Sequence, residues 1–374
     1  MKKYTAILLL VSAILWVVPH KEANATETVP IEFFGLMIHR ADQGTAWPGV
    51  RFGSWRLWDA YVNWEQLEPK RGEWDFSRLD RYVAMAKQHN VDLLLPLANT
   101  PQWAAARPND PSGYKPGNSS EPANIEDWRR YVRTVGERYK GRIHNYQIWN
   151  EPNAKLFYTG SPAKLVELTC EAFRILKSID PQNRIVSAGS TPGAKDHLGY
   201  LDNFLALGGK DCIDVVGHHF YVPHSGPEAM VPLIRGVRGV MKKNGIHQKP
   251  LWSTEAGWWI ANGDGTPDHR YVTKGGWKKV SLQDAGEYAV RAFILTRAEG
   301  VERFFWYSWD SPYGLSLTEP TSKKPKQALA ENWNNTVERL VGSTIPVCSQ
   351  TGKTWRCSFI RKDGAKVEDS WSVE

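Results

Sequence analysis

The sequence predicts an α/β protein, a closed (β/α)8 TIM barrel carrying a short C-terminal β extension. Three observations point there. Short apolar runs alternate with segments of helical spacing eight times between residues 31 and 340. No early strand is followed by G-x-G-x-x-G or G-x-x-x-x-G-K-[ST], the glycine-rich phosphate loops that an open doubly wound sheet normally displays. Two of the apolar runs end on a glutamate, at the strand ends that face the cleft of a parallel barrel.

The chain has 374 residues, 41% hydrophobic and 12% aromatic, enough to build a large core. Met1-Lys2-Lys3, the apolar run from Thr5 to Val18 and the Ala23-Asn24-Ala25 site have the pattern of a secretory signal, so residues 1–25 are read as removed on export to the periplasm or medium. Residues 26–342 form the barrel and 343–374 a β-rich tail. The apolar run is too short for a membrane span, and no stable membrane insertion is expected after cleavage. Losing three lysines and one glutamate lowers the formal charge from +7 to +5, a mildly basic balance that an anionic glycan or surface tolerates.

The strands are expected at Ile31–Ile38, Val50–Trp58, Val91–Leu97, Ile143–Trp149, Arg184–Gly189, Ile213–Phe220, Pro250–Glu255 and Glu302–Trp309. Between them, Leu79, Tyr82, Val83 and Ala86 recur at helical spacing. Asn124 caps the next helix, and Ser161-Pro162 starts another with a stripe from Leu165 to Ile179. Further helices follow at His197–Leu207, Met230–Asn244, Gln283–Ala298 and Lys324–Leu340. Two connections, Asn99–Ala123 and Ala256–Ser281, are long enough to be functional. In the tail, Thr354–Arg361 alternates and Asp363-Gly364 signals a turn, which gives two or three strands.

Pro152 fixes its own φ and keeps Glu151 out of helical geometry, so Tyr146–Trp149 runs straight into a carboxylate. Pro250–Glu255 does the same. Two carboxyl groups projecting into one cavity are what glycoside hydrolysis needs, one to protonate the leaving oxygen and one to attack the anomeric carbon. Trp103, Trp258, Trp306 and Trp309 fall in strand-end loops or on the eighth strand, where flat rings can stack on sugars.

Ile148-Trp149-Asn150-Glu151-Pro152-Asn153 and Ser253-Thr254-Glu255-Ala256-Gly257-Trp258 resemble the acid/base and nucleophile motifs of retaining clan A glycoside hydrolases. The extended W-N-E-P-N form is most similar to glycoside hydrolase family 39. The resemblance spans roughly residues 31 to 340 and includes Arg56 and His219-Phe220-Tyr221. It implies Glu151 as acid/base, Glu255 as nucleophile, Asn150 on the hydroxyl beside the anomeric carbon, and Arg56 and Tyr221 as the groups that keep Glu255 ionised. His219 and His39 are further substrate-binding candidates. No His/Cys/Asp set has metal spacing, and no cofactor is implied.

The resulting expectation is an exported glycosidase acting on a polysaccharide or oligosaccharide, endo-acting because two long aromatic loops can wall a groove, and similar to exopolysaccharide-degrading members of the family. An exo-β-xylosidase-like enzyme is the alternative, and a non-catalytic glycan-binding or exopolysaccharide-biosynthesis accessory protein is the alternative from another class. No nucleic-acid partner is expected. The four cysteines permit three pairings. Cys348 and Cys357 flank a likely hairpin, which favours that pair; Cys170 and Cys212 are either bridged or buried as thiols.

Overall fold

The computed structural model describes residues 27–373 apart from Gly44. The signal segment therefore lies outside the described residues. Eight parallel strands form the barrel: β1 (Phe34–Leu36), β2 (Ser54–Arg56), β3 (Asp92–Leu97), β4 (Asn145–Ile148), β5 (Arg184–Val186), β6 (Val216–His219), β7 (Leu251–Ala256) and β8 (Val301–Trp306). They pair in the order β5-β4-β3-β2-β1-β8-β7-β6. Parallel bridges Val186–Val215 and Ser190–His218 join the two outer strands, which closes the ring. Apart from β7, which is shifted by one residue at equal length, each strand is shorter than its apolar run, because the flanking residues leave the ladder to enter the loops.

Seven helices pack outside: α1 (Ser77–Gln88), α2 (Ile125–Arg138), α3 (Pro162–Ile179), α4 (His197–Ala206), α5 (Met230–Lys243), α6 (Leu282–Ala298) and α7 (Gln327–Leu340). The start signals act as their chemistry requires. Asn124 Oδ1 accepts from the Glu126 amide at 3.0 Å, and Ser161 Oγ from the Lys164 amide at 3.1 Å, each satisfying a donor that the first turn leaves unpaired. Between barrel and helices, Phe34, Phe293, Phe304, Trp306 and Trp333 pack edge to face. Each such fully buried ring contributes roughly 2–3 kcal/mol from the area it removes from water.

The connection after β7 is not structureless. Trp259–Ile260 and Lys279–Val280 pair as two short strands, with a helical turn at Arg270–Lys274 between them. The tail is a three-stranded antiparallel meander, β9 (Val347–Thr351), β10 (Thr354–Ile360) and β11 (Lys366–Ser372). It is tied to the barrel by Arg339–Asp369 at 2.6 Å and by Trp371 Nε1 donating to Glu228 at 2.6 Å. Among the described residues no helix is long and apolar enough to cross a membrane.

Cys348–Cys357 is a disulfide across the β9–β10 pair, as the sequence favours, and Cys170–Cys212 is a second, linking α3 to the turn before β6. The loops they close differ, with separations of 42 and 9 residues. Removing Cys170–Cys212 by double alanine substitution is therefore expected to cost about 4 kcal/mol and removing Cys348–Cys357 about 2.5 kcal/mol, on the chain-entropy account. Urea melts of the two variants check this; a larger loss for the shorter loop would contradict it.

Candidate active site

The site is built from the carboxyl ends of β2, β4, β6 and β7, and it begins with a buried cation. Arg56 ends β2 with no exposed surface. Its Nε donates to Gln147 Oε1 at 2.8 Å, Nη1 to Glu255 Oε2 at 2.8 Å and Nη2 to Asn150 Oδ1 at 2.5 Å. A guanidinium removed from water requires such partners, and its planar fork fixes where three side chains from β4 and its end and from β7 stand. Asn150 spends its oxygen on Arg56, which leaves its NH2 group to donate elsewhere.

Glu151 follows β4 in a positive-φ conformation (φ 40°), as does Trp149 (φ 72°). Non-glycine residues seldom occupy that region, and the surrounding contacts hold them there. The Glu151 amide donates to Gly189 O at 3.0 Å. Position 189 admits only glycine, since a Cβ would stand 2.6 Å from His219 Nε2 and 2.7 Å from Thr254 Oγ1. That vacancy lets His219 lie against the carboxylates, with Nδ1 2.9 Å from Glu151 Oε1 and Nε2 3.8 Å from Glu255 Oε2. On the far side of Glu255, the Tyr221 hydroxyl donates to Oε1 at 2.7 Å.

The two carboxyl groups are electrostatically unlike. Burial pushes Glu151 up to about 7; a hydrogen bond to Thr191 and the charge of Arg56 oppose this, and Asp59 adds to it. Burial also raises Glu255, and the neighbouring Glu151 adds to the rise; the Arg56 charge and the Tyr221 hydroxyl, which both touch its oxygens, act against it. His219 is driven down to about 3 by burial and is neutral. A neutral imidazole has one acceptor and one donor. Nδ1 and Glu151 Oε1 share one hydrogen bond whose direction follows the tautomer, and Nε2 faces Glu255 Oε2.

One oxygen of Glu151, one ring nitrogen of His219 and one oxygen of Glu255 lie within 4.8 Å of one another. These residue types could also surround a cation, but Arg56 already supplies the positive charge at Glu255. Oxygens that approach within this bound fit a retaining pair, whose carboxyl groups stand roughly 5–5.5 Å apart, better than an inverting pair at roughly 6.5–9.5 Å.

The structure thus brings together Arg56, Asn150, Glu151, His219, Tyr221 and Glu255. His39 is buried nearby, its amide held by Asp310 at 2.8 Å and its ring edge-on to Tyr307. His218, adjacent to His219 but on the other face of β6, pairs instead with His197 of α4.

The tryptophan expectation is corrected. Trp306 faces outward and packs on Trp258 and on Trp333 of α7; Trp258 is buried against it and donates to Ser225 O at 3.1 Å. Trp309 is buried beneath the loop that follows β8, its carbonyl taken by Thr318. Trp103 donates to Glu68 O at 3.0 Å, and the guanidinium groups of Arg71 and Arg130 lie against its ring. Trp258, Trp306 and Trp309, all buried, offer no free face to a sugar, whereas Trp103 is partly exposed.

The exposed rings on the strand-end loops are tyrosines: Tyr61, Tyr114, Tyr271 and Tyr313, all more than one-third exposed. Gln147 and Asp59, which bond Arg56 and Tyr307 at the cleft, were not singled out from the sequence, nor were these four tyrosines on the loops at the same end of the barrel. Gln147 had a signal, since Asn145 and Gln147 are polar at i and i+2 in an otherwise apolar strand and so share the lumenal face.

Residues 59–161 match the model of glycosyl hydrolase family 10, a span that includes Glu151. Endo-1,4-beta-xylanase C of Paenibacillus barcinonensis is 24% identical over 196 residues, 45% of this chain and 17% of that protein. Endo-1,4-beta-xylanase A of a Caldicellulosiruptor species is 32% identical over 93 residues, 23% of this chain and 13% of its own length. The chain thus spans less than a quarter of these two xylanases. Among solved structures, a monomeric beta-xylosidase from Caulobacter crescentus CB15 superposes with a TM-score of 0.63 at 18% identity, covering 89% of this chain and 74% of that one. The GH39 enzyme of Xanthomonas axonopodis pv. citri gives 0.62 at 17%, covering 89% and 72%. The chain is thus similar in sequence to glycosyl hydrolase family 10 over residues 59–161, and similar in barrel fold over most of its length to a beta-xylosidase and a GH39 enzyme.

Proposed function

We propose that the chain is a retaining glycoside hydrolase that cuts polysaccharide internally. The observation that carries this is the pair Glu151 and Glu255, with oxygens within 4.8 Å, burial that raises Glu151 to about 7, and Arg56 and Tyr221 hydrogen-bonded to the oxygens of Glu255. Glu255 attacks the anomeric carbon while Glu151 gives its proton to the departing oxygen, and a glycosyl ester forms on Glu255. Esterification removes the negative charge of Glu255, so Glu151 becomes easier to ionise and can take a proton from the water that cleaves the ester. Arg56 and Tyr221 orient the nucleophile, His219 holds the acid, and the free Asn150 NH2 reaches the hydroxyl beside the reacting carbon.

The pH dependence follows from these roles. Glu151 must be protonated, so kcat/KM is expected to fall as pH rises through about 7, and to fall again on the acidic side as Glu255 loses its charge. A pH–rate profile with no loss between pH 6 and 8 would contradict the assignment.

The four exposed tyrosines on the loops after β2, β3, β7 and β8 support an open, sugar-stacking cleft and hence endo action. We take a bacterial exopolysaccharide as the first candidate substrate. The names of the relatives, endo-xylanases and a beta-xylosidase, favour xylan as the second reading. Mass spectrometry of products from a panel of exopolysaccharides and xylans tests both. Oligosaccharides support endo cleavage and identify the glycan, monosaccharide alone supports the exo-xylosidase reading, and binding without cleavage would leave a glycan-binding role. Export is supported by the pattern of residues 1–25 and by two disulfides, which persist in oxidising compartments. Retention of the uncleaved precursor in the cytoplasm would contradict it, and an N-terminus near Thr26 in the exported product is expected.

A further inference from the structure

One carboxylate at the cleft adds to the rise of Glu151 but takes no direct part in the bond-making steps. Asp59 lies three residues past β2 in a left-handed conformation (φ 55°) and is half-buried. Its Oδ1 accepts from the Tyr114 hydroxyl at 2.6 Å and its Oδ2 from the Tyr307 hydroxyl at 2.7 Å. Tyr114 belongs to the loop after β3 and Tyr307 follows β8, so two different elements hold the group in place. Among the described residues no lysine, arginine or histidine forms an ion pair with it. A carboxyl group that accepts one hydrogen bond per oxygen still has acceptor capacity on both.

Its location says what that capacity faces. The Tyr307 amide donates to Ala256 O, next to the nucleophile, at 2.8 Å. The Tyr307 ring is edge-on to His39, whose buried Nε2 has no partner. Asp59 is thus bonded to a tyrosine whose backbone pairs next to Glu255, on the side of the cleft where a sugar unit bonded to Glu255 would lie. Polar atoms placed around a substrate position and left unsatisfied by the protein are matched by substrate hydroxyls, and their being unpaired is what rejects a sugar that lacks them.

Resting on the glycosidase reading, we propose that Asp59 is the specificity residue for the sugar transferred to Glu255, accepting hydrogen bonds from the hydroxyls of a neutral glycosyl unit and excluding a uronic acid at that position. A sugar carboxylate there would meet Asp59 and Glu255 without help from Arg56, whose guanidinium is committed to Glu255, Asn150 and Gln147. The basic overall charge therefore does not make this position an anion site.

The test uses Asp59→Asn, whose amide can keep both tyrosine contacts while losing the charge and half the acceptor capacity. Xylohexaose, cellohexaose and a hexameric oligoglucuronate are titrated calorimetrically into Glu151→Gln and into Glu151→Gln/Asp59→Asn, and each is incubated with wild type and Asp59→Asn. The expected result is binding of a neutral hexasaccharide and not of the glucuronate. Asp59→Asn then weakens neutral binding about tenfold or more and raises KM more than it lowers kcat, with an unchanged melting temperature. Equal neutral binding by both proteins, or glucuronate binding as tight as neutral, overturns the role of Asp59 while cleavage by wild type leaves the glycosidase reading standing. If wild type neither binds nor cleaves any of the three or any glycan of the product panel, the glycosidase reading falls, and this inference with it.

Discussion

Glu255→Gln is expected to lower kcat on order of 10⁴-fold or more, because an amide cannot form the glycosyl ester that divides the reaction into two accessible steps. The substitution is nearly isosteric and its oxygen can still accept from Arg56, so the protein should fold. Glu255→Ala is the harsher change. It leaves the fully buried Arg56 facing an empty position, and removing one partner of a buried ion pair costs about 3–5 kcal/mol. Circular dichroism and thermal melts separate the two effects: near-wild-type melting with activity lost for Gln, and lowered melting for Ala. Glu255→Gln retaining more than a tenth of wild-type kcat would exclude this residue as nucleophile.

The second large effect belongs to Glu151→Gln, and its size should depend on the leaving group. For an unactivated glycan the departing oxygen needs a proton, and losing a general acid costs about 10²–10⁴-fold. An aryl glycoside with an acidic phenol leaves without help, so its first step should be nearly normal and the ester on Glu255 should accumulate. Azide needs no general base and should restore turnover by attacking that ester. Measuring kcat/KM across aryl glycosides of differing leaving-group pKa, with and without azide, checks this. A loss of the same size for every leaving group, with no effect of azide, would mean that Glu151 does not handle the proton.

Much of this architecture is legible in the chain because local chemistry and tertiary packing agree. The caps at Asn124 and Ser161 start helices where they should, and continuous apolar runs become strands buried on both faces. Glu151 and Glu255 could be placed at strand ends because Pro152 and the ends of the runs mark where the ladder stops. What the sequence left open is which face of a strand looks inward. Phe304 and Trp306 share a face by the period of two, and that face meets α6 and α7, so an aromatic strand that suggested sugar stacking serves the core. The same ambiguity surrounds His218 and His219, adjacent residues with opposite surroundings.

Loop geometry was equally unreadable. Asp59 and Tyr307 sit just beyond their strands, and Tyr114 lies in a long connection, so no periodicity announces that the three meet. The second disulfide could not be chosen over free thiols without knowing that α3 packs beside the turn before β6. Loss of the ladder removes the spacing rule, and only the folded backbone replaces it.

The central claim is that one carboxyl group attacks while the other, within 4.8 Å, manages the proton. Proton NMR of the reducing end released in the first turnovers, before mutarotation, tests it most directly on whichever glycan the product panel identifies. Double displacement predicts that the new anomeric centre has the configuration of the bond that was cut. Release of the opposite anomer would require a water between the carboxyl groups and would contradict this account of the site.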